Sequence, residues 1–229
     1  MNQNRLQSAE TSSIRRVLIV DDHPVVRQGV RHLLDNADDL AVCGEADTAI
    51  DARAAIDKLH PDVLICDINL RHVDGIELVR QLRAHYPSLP ILVLSTLDEA
   101  IYAARMLALG VSGYIMKQAS TAEFLVSVRR VLDGNIYVSE AIGNGMLSRF
   151  AGGAPHLSAD PIELLTNREL QVLQMLGKGA STRETAQLLH LSIKTVESHR
   201  QRIKRKLNLT SGVQLLRYAV LSHAQALPD

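Results

Sequence analysis

Tryptophan is absent from this chain of 229 residues, phenylalanine occurs twice and tyrosine five times. So few rings argue against recognition of single-stranded nucleic acid, in which successive bases stack on aromatic side chains. Cysteine is equally scarce. Cys43 and Cys66 lie in apolar stretches without a neighbouring Cys or His, which speaks against a disulfide framework or a thiolate metal site and for buried, reduced thiols. No apolar run approaches the ~20 residues of a membrane-crossing helix. The opening segment MNQNRLQSAETSSIRR also lacks the apolar centre of a signal peptide, so a cytoplasmic protein without a membrane partner is expected. Net charge is zero, with 25 basic and 25 acidic residues, so attraction to a polyanion must come from a local cluster.

What is present is alternation. From Val17 onward, short apolar runs (VLIV, LAVCGEA, DVLIC, ILVLS, GYIM) take turns with amphipathic stretches of helical length, five times over. Unalternated apolar strands need burial on both faces, which a parallel sheet sandwiched between helices provides. The pattern therefore predicts an α/β fold with a doubly wound five-stranded parallel sheet. After Pro161 the segments LLTNRELQVLQMLGKG, STRETAQLLHL, SIKTVESHRQRIKRKLNL and GVQLLRYAVLSHA carry helical spacing with no strand between them, which predicts a small all-α domain. Polar composition marks residues 1–14 as a disordered tail, and GGAPHLSADP as part of a linker over 135–161 in which NIYVSEAIGNGMLSRF forms one short helix. The two domains then cover 15–134 and 162–229.

In an open parallel sheet, ligands bind beyond the carboxyl ends of the strands. Here those ends are followed by Asp21 and Asp22, by Asp67, by Ser95 and by Lys117, so one edge gathers three carboxylates, a hydroxyl and an ammonium. Three carboxylates stay ionised together when a hard divalent cation with oxygen ligands sits among them, and Mg²⁺ is the expected ion. With charge neutralised by metal and ammonium, a carboxylate can attack an activated phosphoryl group and form an aspartyl-phosphate. An Asp after a strand often does no more than cap a helix. Five suitable residues at the ends of four strands do not reduce to capping.

The same residues resemble the receiver domain of NarL/FixJ-family response regulators, through DDHPVVRQGV, PDVLICDINLRHVDGIEL, ILVLST and GYIMK in matching order. The resemblance implies that Asp67 accepts the phosphoryl group from a sensor histidine kinase or phosphotransfer protein. It implies that Asp22 and Asp67 bind Mg²⁺ with the backbone carbonyl of Asn69, that Asp21 acts through water, and that Lys117 salt-bridges the phosphate. Ser95 and Tyr114 become a switch pair: phosphate draws the Ser95 hydroxyl inward and Tyr114 turns into the space behind it. Arg71 and Gln118 depart from the usual pattern in the loops after Asp67 and Lys117. His23, His72 and His85 read as surface or helix-cap residues, because no ligand spacing recruits them.

In the helical domain, STRETAQLLHLSIKTVESHRQRIKRKL carries two helical patterns joined at HLS, with Thr185, Ala186, Leu188, Leu189, Val196, Ile203 and Leu207 supplying apolar contacts. That suits a helix-turn-helix. Arg200, Arg202, Lys204, Arg205 and Lys206 form a basic cluster without a balancing acid, suited to duplex phosphates. The stretch from LTNREL to RKLNL resembles the LuxR-type DNA-binding domain. By that resemblance Glu197, Ser198 and Gln201 read bases, while Lys194, Thr195 and His199 or Lys206 approach phosphates. The last helix, GVQLLRYAVLSHA, is more apolar than packing within one copy needs, so a homodimer on DNA is expected, with half-sites about one helical turn apart. RNA polymerase is a further expected partner.

Two other readings compete. One is a DNA-binding protein indifferent to phosphorylation, whose first domain docks another protein. The other is a phosphatase of the haloacid-dehalogenase type, which also uses an aspartyl-phosphate; its D-x-D follows the first strand, whereas here adjacent Asp21-Asp22 follows the first strand and the acceptor follows the third. No enzymatic turnover is therefore expected.

Overall fold

The computed structural model describes residues 14–70, 75–151 and 161–225. The expected tail before Ile14, most of GGAPHLSADP, and Arg71 and His72 lie outside the described residues. The first half alternates β1 (Arg15–Val20), α1 (Pro24–Asp35), β2 (Leu40–Ala46), α2 (Ala49–Leu59), β3 (Val63–Cys66), α3 (Gly75–His85), β4 (Ile91–Ser95), α4 (Glu99–Ala108), β5 (Gly113–Met116) and α5 (Thr121–Leu132). All strands are parallel in the order β2-β1-β3-β4-β5, the five-stranded sheet read from the sequence.

Alternation along β1 feeds two separate cores. Val17 and Ile19 pack into a cluster with Val30 and Leu34 of α1 and Val128 and Val131 of α5. Leu18 and Val20 face the other side, with Ile56 of α2 and Leu78, Val79 and Leu82 of α3. Both faces are therefore buried, and burial of each such Leu, Ile or Val contributes roughly 1.5–3 kcal/mol. The strand order reverses between β1 and β3, so the loops leaving these two strands part to opposite faces and open a crevice at their carboxyl ends.

The second half contains α6 (Glu140–Ala151), a 3₁₀ turn (Pro161–Leu164), α7 (Asn167–Gly177), α8 (Thr182–Leu188), α9 (Ile193–Lys206) and α10 (Gly212–Gln225). Ser181 and Thr166 open α8 and α7 with reciprocal capping boxes to Glu184 and Glu169. His190 in the left-handed region turns the chain between α8 and α9. Thr185, Ala186, Val196 and Ile203 are buried as expected; Leu188 is not, at 63% exposed, because it lies on the outer side of the last turn of α8. Among the described residues no helix is long and apolar enough to cross a membrane.

Several contacts among the described residues tie the halves together. Tyr137 lies along the edge of β5, its N–H donating to the Ser112 carbonyl at 3.0 Å and its carbonyl accepting from Tyr114 N–H at 2.9 Å. This covers a strand edge that would otherwise be open. Helix α7 rests on the loop after β3: Gln171 Nε2 donates to Asn69 Oδ1 at 2.7 Å, and just before α7 the Leu165 carbonyl accepts from the Arg105 guanidinium of α4.

Candidate functional site

The crevice at the strand ends assembles the acidic cluster. Asp67 leaves β3 with its N–H held by the Val20 carbonyl of β1 at 2.8 Å, which brings the two loops together. Its side chain is almost wholly buried; Oδ1 accepts from Asn69 N–H at 2.8 Å and Oδ2 pairs with Lys117 Nζ at 2.7 Å. Lys117 also pairs with Asp21 Oδ2 at 2.6 Å. One ammonium thus bridges the carboxylates that follow β1 and β3. Carboxylate oxygens of Asp21, Asp22 and Asp67 and a ring nitrogen of His23 all lie within 4.8 Å of one another. A donor set of three hard carboxylates in a small cleft fits Mg²⁺.

Burial pushes the Asp67 carboxyl above its ordinary range, with the Lys117 charge pulling against it. Burial likewise works against the charge on Lys117, yet Asp67 and Asp21 hold its pKa above the usual ammonium value. The cleft is thus a place where an added cation would relieve acid crowding, and where a phosphoryl oxygen would meet a fixed positive charge.

Ser95 ends β4, buried, its Oγ accepting from Leu97 N–H at 3.3 Å. Tyr114 of β5 is also wholly buried, and its hydroxyl donates to the Leu97 carbonyl at 2.8 Å. Both expected switch residues therefore converge on one loop residue, Leu97. His23 is more involved than a capping role suggests: it opens α1 without a side-chain cap, and its Nδ1 lies 3.0 Å from Asp21 Oδ1 and 2.9 Å from Asp22 Oδ1. Its position next to the paired acids was the available signal.

On α9, Lys194, Glu197, Ser198, Gln201 and Arg205 are exposed and Thr195 partly so, a continuous outer face. Glu197 is already engaged, accepting from Thr182 Oγ1 at 3.0 Å. His199 and Lys206, expected as alternative phosphate contacts, are both partly buried. Lys206 Nζ lies 2.6 Å from the buried Glu169 Oε2, and so ties α9 to α7. His199 is half-buried, and burial lowers its pKa, favouring the neutral ring over a cationic phosphate contact. Both follow from the helical wheel: His199 is three residues after Val196, and Lys206 three after Ile203, which places them beside the inward stripe.

Comparison with known proteins matches residues 17–129 to the family described as response regulator receiver domain and residues 163–219 to bacterial regulatory proteins, luxR family. The chain is 32% identical over 210 residues to the oxygen regulatory protein NreC of Staphylococcus epidermidis, covering 90% of this chain and 96% of that one. Among solved structures, RcsB of Salmonella enterica serovar Typhimurium bound to promoter rprA with the phosphomimetic BeF₃⁻ is similar at 29% identity and TM-score 0.57, covering 90% of this chain and 98% of that one. Two RcsB dimers bound to two parallel DNAs match at 27% identity and TM-score 0.55, covering 91% and 98%.

Proposed function

Because the chain belongs to the two-component response regulators that join a receiver domain to a LuxR-type DNA-binding domain, we propose that phosphorylation of Asp67 sets its affinity for duplex DNA. The observation that carries this reading is the pairing of Lys117 with both Asp67 and Asp21 in a buried cleft. We assign residues 15–134 to the receiver, 135–161 to a linker with one short helix and 162–229 to the DNA-binding domain, after a tail over 1–14.

Asp22 and Asp67, with the Asn69 carbonyl, would hold Mg²⁺, and Asp21 would act through water; the bound ion supplies charge neutralisation for the incoming phosphoryl group. The chain's own groups do the rest. The Asn69 N–H orients the Asp67 carboxylate, and Lys117 offers its ammonium to a phosphoryl oxygen. Ser95 presents a hydroxyl on the same edge, and Tyr114 links that edge through Leu97 to the start of α4. The phosphoryl donor is a sensor histidine kinase or phosphotransfer protein. Duplex DNA is the target, met by Glu197, Ser198, Gln201 and Arg205 with Lys194 and Thr195, and a homodimer on DNA is supported by the RcsB assemblies. RNA polymerase would be a further partner, and the cytoplasm the compartment where these meet. No catalytic turnover is assigned.

Mass spectrometry tests the acceptor: acetyl phosphate with Mg²⁺ should add one phosphoryl group to the wild type and none to Asp67→Asn. Equal labelling of both would move the acceptor elsewhere. A second reading, DNA binding independent of phosphorylation, draws on one observation: the outer face of α9 is exposed while α7 is docked on the receiver.

A further inference from the structure

Glu197 stands on the outer face of α9 with its side chain about half exposed, yet its carboxylate is held from a second helix. Thr182, the first residue of α8, donates its hydroxyl proton to Glu197 Oε1 at 3.0 Å. The Arg200 guanidinium donates to the same hydroxyl oxygen and lies 3.6 Å from Glu197 Oε1. The direction of these bonds is fixed by chemistry. A guanidinium can only donate, so Arg200 takes a lone pair of Thr182 Oγ1, and the one hydroxyl proton is committed to the carboxylate. Thr182 and Arg200 are themselves partly buried. Their backbones are anchored as well: the Ser181 capping box opens α8 immediately before Thr182, and buried Val196 precedes Glu197 on α9.

Resting on the assignment of α9 as the DNA-reading helix, we propose that Thr182 and Arg200 are positioning residues that hold Glu197 as a reader of cytosine. A carboxylate only accepts hydrogen bonds, and in the major groove only cytosine N4 and adenine N6 donate. Adenine sets its N7 acceptor beside that amino group, where it opposes a carboxylate oxygen. Cytosine is the base left. With Oε1 occupied by the Thr182 proton, Oε2 is the oxygen that remains for the base. The side chain is thus ordered before DNA arrives, and little rotamer freedom is lost on binding. Charge is the second requirement, because a carboxylate brought to a polyanion is repelled. Arg200 sets a positive charge 3.6 Å from the carboxylate and offsets that repulsion locally.

The test is selection from a pool of randomised duplexes by the full-length protein in acetyl phosphate and Mg²⁺, with bound sequences counted for wild type, Glu197→Gln, Thr182→Val and Thr182→Ser. Wild type is expected to enrich cytosine about tenfold at one position of each half-site, the scale of one base contact. In Glu197→Gln the oxygen stays with Thr182 and an amide N–H₂ faces the base, so that position should change to a purine, whose N7 accepts. Thr182→Val keeps the side-chain volume and deletes the hydroxyl. It should cut the cytosine preference about fivefold, the scale of one net hydrogen bond, with the other positions unchanged, and Thr182→Ser should retain the preference. A cytosine preference equal in wild type and Thr182→Val, or a Glu197→Gln pattern identical to wild type, overturns the inference. So does a loss in Thr182→Val spread evenly over all positions, which would make Thr182 a packing residue. Absence of any enriched sequence from the wild type would instead remove the DNA-reading assignment beneath it.

Discussion

Lys117 Nζ lies 2.7 Å from Asp67 Oδ2 and 2.6 Å from Asp21 Oδ2, so a single ammonium holds the two loops of the switch-point crevice together. Its removal leaves two buried carboxylates without that counter-charge and a transferred phosphoryl group without its fixed cation. Lys117→Ala should slow labelling by acetyl phosphate about 10²-fold, the cost of losing one preorganised charge donor. Retention of the wild-type labelling rate would show that Lys117 does not meet the phosphoryl oxygens.

Glu169 provides a pH signature for the helical half. Burial acts to raise its pKa, but Lys206 and the Thr166 N–H hold it below the ordinary value. A depressed folded pKa contributes stability that is complete above the unfolded value of ~4.3 and is lost as pH falls through the folded one. Urea melts should therefore show the helical half level from pH 7 to about 5 and weaker below. Glu169→Gln should flatten that acid limb, and an unchanged limb in the variant would contradict the pairing.

Much of this was legible beforehand. Unalternated runs such as VLIC and the residues that follow them fixed the sheet and its edge, because period and position survive in one dimension. The docking of α7 did not, since Gln171 and Asn69 are far apart in sequence and nothing local marks either as a partner. Tyr137 on the edge of β5 was equally hidden: a single paired residue has no period. The pairing of Lys206 with Glu169 and the half-burial of His199 were not read either, because type was weighed above angular position on α9.

Lys206 and Arg205 separate two meanings of a basic residue. Arg205 is exposed, so Arg205→Ala should weaken DNA binding and reduce the slope of log affinity against log salt by about 1. Lys206→Met should leave that slope unchanged and destabilise the helical half by about 2–3 kcal/mol, since it strands the buried Glu169 carboxylate. Salt titrations and urea melts on both variants would expose a reversal of these roles.

Gly113 permits the edge contact of the linker. A Cβ there would stand 2.9 Å from the Tyr137 carbonyl oxygen and 3.0 Å from Leu92 Cδ1. Gly113→Ala should destabilise the receiver by about 1–3 kcal/mol and speed amide exchange at Tyr114 and Tyr137, whose N–H groups make the edge bonds. Wild-type exchange at both amides would mean that the contact tolerates a methyl group.

The central claim is that chemistry at Asp67 is felt at α9. Affinity for a duplex carrying the protein's binding site, measured with Mg²⁺ in the presence and absence of acetyl phosphate for wild type and Asp67→Asn, tests it most directly. The account predicts an affinity change of at least about fivefold in the wild type, the lower range of coupling between linked sites, and none in Asp67→Asn. Equal affinities under all four conditions, with the wild type phosphorylated, would contradict it.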